Sequence, residues 1–156
     1  MMAEDRFRRP ADHEDLLTAM TTKDGPFTTL YEAMMFAATL GARKGVPTPF
    51  TRTDEPINLS RLGNRTHGEI LVDLLAAARV TDDPKILADD RLQDRVRIFE
   101  EYANTGLNFI RGELNASGRD ISDVVNNLVL DALAETPDTK PDVVSEILDV
   151  GKLVWE

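Results

Sequence analysis

The chain contains no cysteine. Disulfide frameworks, thiolate metal sites and cysteine nucleophiles are therefore excluded. Imidazole is limited to His13 and His67. The zinc pattern of two His four apart around a Glu is absent, as are a Gly-x-Ser-x-Gly elbow and a phosphate-cradling Gly-rich loop ending in Lys-Ser/Thr. Aromatic residues make up only 6% of the chain, with one Trp. No apolar run approaches the ~20 residues of a membrane span. The start, Met1-Met2-Ala3-Glu4-Asp5-Arg6, is polar and lacks the apolar core of a secretory signal. A cytoplasmic protein is the expectation. Basic charge is in deficit: 18 Lys and Arg stand against 28 Asp and Glu, a net −10. Non-specific nucleic-acid binding needs a basic face, so the bulk charge argues against it, although bulk charge can hide a patch.

What is present is enough for one domain. The length is 156 residues and 42% of them are hydrophobic, which suits a compact unit with its own core. The charge is uneven. In residues 116–156, Arg119, Lys140 and Lys152 face nine acids. In residues 41–68, Arg43, Lys44, Arg52, Arg61 and Arg65 face only Asp54 and Glu55. Arg6, Arg8 and Arg9 form a second basic cluster.

Helical signals recur along the chain. Pro10 is placed to open a first helix with Leu16, Leu17 and Met20 on one face. Thr29-Leu30-Tyr31-Glu32 is a capping-box pattern before a nearly all-apolar helix. Gly41 either ends that helix or permits close packing. Gly45, Pro47, Pro49 and Pro56 then exclude a continuous helix, so residues 42–58 read as a loop, with Ile57-Asn58-Leu59 a short strand at most. Thr66-His67-Gly68-Glu69 is a second capping box. Asp83 and Pro84 mark an N-cap and a first helical position. Leu92, Val96, Phe99, Ala103, Leu107, Ile110 and Leu114 recur at intervals of 4, 3, 4, 4, 3 and 4, a sustained seam over residues 90–114. Asn115-Ala116-Ser117-Gly118 stops it. Ile121, Val124, Val125, Leu128, Val129, Ala132 and Leu133 give another apolar face. Pro137-Asp138-Thr139-Lys140-Pro141 reads as a hinge before a last helix with Val143, Val144, Ile147 and Leu148, and an apolar end at Leu153-Val154-Trp155.

Few of these residues suggest chemistry. His13, among Asp12, Glu14 and Asp15, reads as a solvated helix start. Asp82, Asp83, Asp89 and Asp90 lack the alternating ligands, Gly and distal Glu of a calcium loop. They read as helix N-termini with acids favourably placed against the dipole. Glu100 and Asn104 are four apart and flank the apolar seam. With Glu101, Tyr102 and Gly106 they form a candidate partner-contact surface; the bland alternative is a solvated helix flank. Gly106 costs a helix interior roughly 1 kcal/mol relative to Ala and so points to close approach of another backbone. The basic residues Arg43, Lys44, Arg52, Arg61 and Arg65 are candidate DNA-phosphate contacts, with Phe50 available to stack. The alternative is a loop kept soluble by charge and anchored by Phe50. No catalytic residues, metal ligands or cofactor-binding residues are expected.

Several segments, in this order, resemble the DNA phosphorothioation-associated protein 4 family, also called Dnd system-associated protein 4. They are Phe27 with Phe36-Ala37-Ala38-Thr39-Leu40-Gly41 and the basic loop after it; Glu55-Pro56-Ile57; Asp83-Pro84-Lys85-Ile86-Leu87; and Ile98-Phe99-Glu100-Glu101-Tyr102-Ala103-Asn104-Thr105-Gly106-Leu107. The resemblance spans roughly residues 6–115. Phe99-Glu100-Glu101-Tyr102-Ala103-Asn104 is its most specific part, and Thr105 stands where the family usually has Gly. The resemblance implies a setting: systems that replace a non-bridging phosphate oxygen of DNA with sulfur, and the restriction partners that attack unmodified DNA. It implies no assigned catalytic residues.

The combined expectation is an all-α single compact domain of about seven helices with one irregular Pro/Gly-rich loop over residues 42–58. Residues 1–115 would be the family-like core, with the acidic helices of residues 116–156 packed on it. The expected function is a non-enzymatic accessory protein in antiphage defence that binds proteins of the system, and DNA through the loop. Two alternatives stand beside it. One is a DNA-binding regulator of the same locus, although no recognition helix rich in Arg, Asn and Gln is visible. The other is a metal-dependent nuclease subunit using Glu100 and Glu101.

Overall fold

The apolar seam of residues 92–114 becomes the longest helix of the computed structural model, which describes residues 5–63 and 68–135. The described elements are, in chain order, β1 (Arg6–Pro10), a 3-10 turn (Ala11–His13), α1 (Glu14–Met20), α2 (Leu30–Lys44), β2 (Thr53–Asn58), α3 (Ser60–Gly63), α4 (Gly68–Arg79), two 3-10 turns (Pro84–Leu87 and Asp89–Arg91), α5 (Leu92–Ser117) and α6 (Ile121–Ala134). Arg65, the Thr66-His67 start of the second capping box, the hinge at Pro137 to Pro141, the last helix and the apolar end at Trp155 lie outside the described residues. The chain divides into two units, Met1–Val125 and Asn126–Glu156. In the second, the described part continues α6 and leaves Leu130 and Leu133 exposed. Among the described residues no helix is long and apolar enough to cross a membrane.

The described chain is mostly helical but not all-α. It has five helices of seven residues or more, the short α3, and a two-stranded antiparallel sheet. The sheet corrects two expectations. Pro10 ends β1 and pairs with Thr53, standing at the N-cap of the 3-10 turn before α1 rather than at a helical position. Residues 42–58 are not all loop, because α2 runs on to Lys44 and β2 covers Thr53–Asn58. The pairing is Arg6 with Asn58, Phe7 with Ile57, Arg9 with Asp54 and Pro10 with Thr53. Between Phe7 and Arg9 the partner strand has an extra residue, a bulge at Glu55-Pro56. Proline has no N–H for a ladder, and a bulge removes the need for one.

Local signals place the helix ends. Thr29 Oγ1 accepts the Glu32 N–H at 3.3 Å and donates to Glu32 Oε1 at 2.9 Å, which caps α2. Asp83 Oδ1 accepts the Lys85 N–H at 3.1 Å at the head of its 3-10 turn. Helix α5 closes on Gly118, whose φ of 65° lies in the left-handed region that glycine adopts without steric cost.

The core of the first unit is the crossing of α2 and α5. Ala33, Met34, Ala37 and Ala38 of α2 are buried, as are Val96, Phe99, Ala103, Leu107 and Ile110 of α5. Two glycines set the crossing distance. A Cβ on Gly106 would lie 1.8 Å from the Ala37 carbonyl oxygen, and one on Gly41 would lie 1.9 Å from that of Tyr102. Each helix thus rests on the other's backbone. Val72, Leu75 and Ala76 of α4 complete the core, and Phe7 of β1 meets Phe99 edge-on at 5.4 Å.

Gly106→Ala is expected to destabilise the protein by about 3 kcal/mol, because the helix axes must separate to admit the methyl group. Gly112→Ala, on the same helix with nothing within 4 Å, is expected to stabilise it by about 0.5–1 kcal/mol through helix propensity. Chemical denaturation of the two variants checks this; equal effects would contradict a backbone-to-backbone crossing.

Candidate functional site

The segment from Ile98 to Leu107 lies in the middle of α5 and is buried on most sides. Glu100 is 3% exposed and Asn104 6%. The Glu100 carboxylate receives both the backbone and the side chain of Arg8. The Arg8 N–H donates to Oε2, Nε donates at 3.1 and 3.2 Å, and Nη2 donates at 3.0 Å. One carboxylate therefore fixes the middle of β1 against α5. The Arg8 guanidinium also lies over the Phe50 ring, 4.9 Å from its centre. Burial pushes the Glu100 carboxyl above the usual carboxylate range, against the pull of Arg8.

The next turn of α5 holds the segment after α2. Asn104 Nδ2 donates to the Thr48 carbonyl at 3.1 Å. The Thr48 N–H donates to the Glu101 carbonyl at 3.1 Å. Thr105 Oγ1 lies 2.6 Å from the Val46 carbonyl oxygen and 2.7 Å from Thr48 Oγ1. The Thr105 hydroxyl therefore tethers that segment. Among the five residues of the candidate partner surface, Glu100, Tyr102, Asn104 and Gly106 are buried in this packing, and Glu101 is half-buried.

Beside this face opens a cleft of about 510 Å³, lined by Asp12, His13, Pro49, Phe50, Thr51, Arg52, Asn104, Asn108 and Arg111. His13 is buried rather than solvated. Arg111 Nε donates to His13 Nδ1 at 3.2 Å, and His13 Nε2 lies 2.6 Å from Asn108 Oδ1. A guanidinium can only donate, so Nδ1 is the acceptor and Nε2 carries the proton. Burial lowers the His13 pKa from its usual value, and Arg111 adds to this while Asn108, Asp15 and Asp12 work against it. Arg111 also pairs with Asp15 at 2.7 Å.

The basic residues grouped by sequence do not form one ridge. Lys44 lies over the Phe109 ring, 5.2 Å from its centre, and Arg43 is exposed at the same helix end. Arg52 pairs with Asp12 at 2.6 Å on the cleft rim. Arg61 faces a second cleft of about 340 Å³ with Arg6, Arg9 and Asn58. Arg9 is buried there: Nε donates to the Glu55 carbonyl at 2.7 Å and Nη1 to Glu14 at 2.9 Å. Arg6 and Arg61 have no carboxylate partner among the described residues. Arg6 and Arg61 are remote in sequence; pairing of β1 with β2 brings them together.

Two further groups were not anticipated from sequence. Arg95 is buried on α5, donating to Asp73 at 2.8 Å and to the Ile86 and Ala88 carbonyls at 2.8 and 2.7 Å. The His13, Asn108 and Arg111 set joins residues nearly a hundred positions apart. Its one trace in sequence is the spacing of Asn104, Asn108 and Arg111 along one face of α5. Asp83, besides capping its turn, accepts from Arg91 at 3.1 Å. Among the described residues no three His, Asp or Glu side chains converge to hold a metal ion.

Glu100→Gln replaces one acceptor oxygen with a donor facing a guanidinium, and is expected to cost about 1.5–3 kcal/mol of stability. Denaturation midpoints check it; an unchanged midpoint would contradict the clamp. His13 generates a pH prediction. Its folded pKa is depressed, so its contribution to stability is present above 6.5 and is lost as pH falls through the folded value. Glu14 and Glu100, both raised by burial, gain in the opposite direction as pH falls. The native chain should therefore lose stability relative to His13→Gln between about pH 7 and 5, read as the difference between their denaturation curves. Parallel curves would contradict it.

No curated protein and no solved structure is detectably similar to the chain. The family model described as DNA sulphur modification system-associated protein 4 matches residues 6–146, well past residue 115 where the resemblance of individual segments stopped. A match over that much of the chain makes this protein a member of the DNA sulphur modification system-associated protein 4 family.

Proposed function

We propose that the protein is a non-enzymatic accessory component of a DNA phosphorothioate modification and restriction defence system, holding partner proteins and touching DNA through exposed arginines. The observation that carries this reading is the inversion of polar and apolar groups on the surface. Glu100, the carboxylate that a nuclease would need, is spent on Arg8. Asn104 and His13 each hold a structural partner. Meanwhile Ile70 and Leu74, one turn apart on α4, are 54% and 60% exposed. Apolar side chains left adjacent at a surface mark a site of protein contact. Glu101 remains on the flank of α5 as the accessible member of the expected partner set.

The DNA part of the reading rests on charge. Arg43, Lys44, Arg52 and Arg61 are all exposed, and Arg6 joins Arg61 at the smaller cleft. Arg65 belongs to the same expectation. Phosphate contacts of this kind confer affinity without sequence preference and weaken with salt.

A pull-down with the other proteins of the same system, at matched salt, is expected to retain at least one of them. Ile70→Asp with Leu74→Asp is expected to abolish retention while the fold persists. In mobility-shift titrations at low salt, Arg6→Ala with Arg61→Ala is expected to lower the slope of log affinity against log salt by about 2. No retained partner together with no DNA shift would remove the reading.

A further inference from the structure

The 510 Å³ cleft beside α5 is of ordinary size for a small-molecule site, and its hydrogen-bonding groups are incompletely used. Two constraints determine which groups remain. The Thr48 carbonyl can only accept, so the Asn104 amide must turn Nδ2 toward it. That leaves Asn104 Oδ1 as an acceptor with no partner among the described residues. Arg111 can only donate to His13 Nδ1, so His13 donates from Nε2 to Asn108 Oδ1. Asn108 is exposed, so the two protons of its Nδ2, with no acceptor among the described residues, are left to solvent. Among those residues no fully buried side-chain nitrogen or oxygen lacks a partner. The Asn104 oxygen, on a residue only 6% exposed, therefore reaches the cleft that it lines. An acceptor and a donor thus stand one helical turn apart on the same face.

The rest of the cleft narrows the ligand. Its charges cancel in pairs, Arg52 with Asp12 and Arg111 with Asp15, so an anion alone gains little there. Pro49 and Phe50 supply an apolar wall, and Phe50 is held by the Arg8 guanidinium. The ligand group that matches is flat, uncharged, and carries a donor and an acceptor on one edge. A single Asn reads an adenine edge with both of its amide groups, whereas here two Asn side chains offer one group each; aromatic rings accept unstacked bases.

We infer that this cleft binds a nucleobase, with Asn104 Oδ1 and Asn108 Nδ2 contacting its hydrogen-bonding edge beside Phe50. A base inside a duplex cannot enter, so the ligand is a free nucleotide or an unpaired base of single-stranded DNA. The inference deepens the DNA-contact reading, yet free nucleotides test the cleft without it.

Asn108→Asp is the discriminating variant. It keeps an oxygen for His13 and replaces the cleft-facing donor with an acceptor. The full-length protein would be titrated with each of the four deoxynucleoside monophosphates and with a short single-stranded oligonucleotide. Calorimetry and the side-chain amide resonances of Asn104 and Asn108 would report binding. Saturable binding with shifts at both amides, weakened about tenfold or more by Asn108→Asp, supports the inference. Binding of the oligonucleotide alone, with the same loss, supports it with single-stranded DNA as the source. No saturable binding of either probe, or binding that Asn108→Asp leaves unchanged, overturns it. Amide shifts in the native chain decide the matter if the variant does not fold. Should duplex DNA still be shifted while nucleotides fail, the base site is lost and the phosphate-contact reading stands.

Discussion

The fold depends on a contact between two backbones. Gly41 and Gly106 carry no Cβ, and the helices that bear them approach until each rests on a carbonyl of the other. Dispersion weakens steeply with separation, so this closeness strengthens every neighbouring contact along the crossing. It also fixes α5 in rotation. Once Gly106 faces α2, Glu100 must point toward β1 and Asn104 toward the segment after α2. The long helix thereby becomes a rack on which the shorter elements hang.

Arginine performs much of the hanging. Arg8 is held by Glu100, Arg9 by Glu14 and the Glu55 carbonyl, Arg95 by Asp73 and two carbonyls, and Arg111 by Asp15 and His13. Such pairs add little net free energy compared with apolar packing, since both charges lose water. Their geometry is demanding, however. A planar guanidinium meets a carboxylate in few ways, so each pair selects one register. In a chain with ten more acids than bases, arginines spent on such pairs leave few free cations. The exposed exceptions, Arg6 and Arg61 among them, are correspondingly conspicuous.

The stretch from Phe99 to Gly106 thus has two kinds of work. Phe99, Glu100 and Gly106 are consumed by the fold. Asn104 is consumed on one side only, and with Asn108 it leaves an acceptor and a donor at a charge-balanced cleft. Neither group is sealed from water, so a ligand with matching groups takes the place of solvent there.

Much of the helical framework was legible in sequence. The interval pattern from Leu92 to Leu114 is a property of neighbouring residues, and so are the Thr29 cap, the Asp83-Pro84 start and the stop at Gly118. The family was legible too, because its markers are contiguous. The sheet was not. Arg6-Phe7-Arg8-Arg9 has one apolar residue and Thr53–Asn58 contains a proline, so neither segment has the alternation that marks a strand. Each becomes one by pairing with a partner more than forty residues away, held down by Glu100. The cleft was hidden for the same reason. The position of His13 among acids suggested solvent, and only the approach of Asn108 and Arg111 made it a buried, neutral imidazole. Local periodicity, written in adjacent residues, determined where helices form. Which polar groups are spent and which remain depends on distances between remote segments, and the close crossing of α2 and α5 decided that.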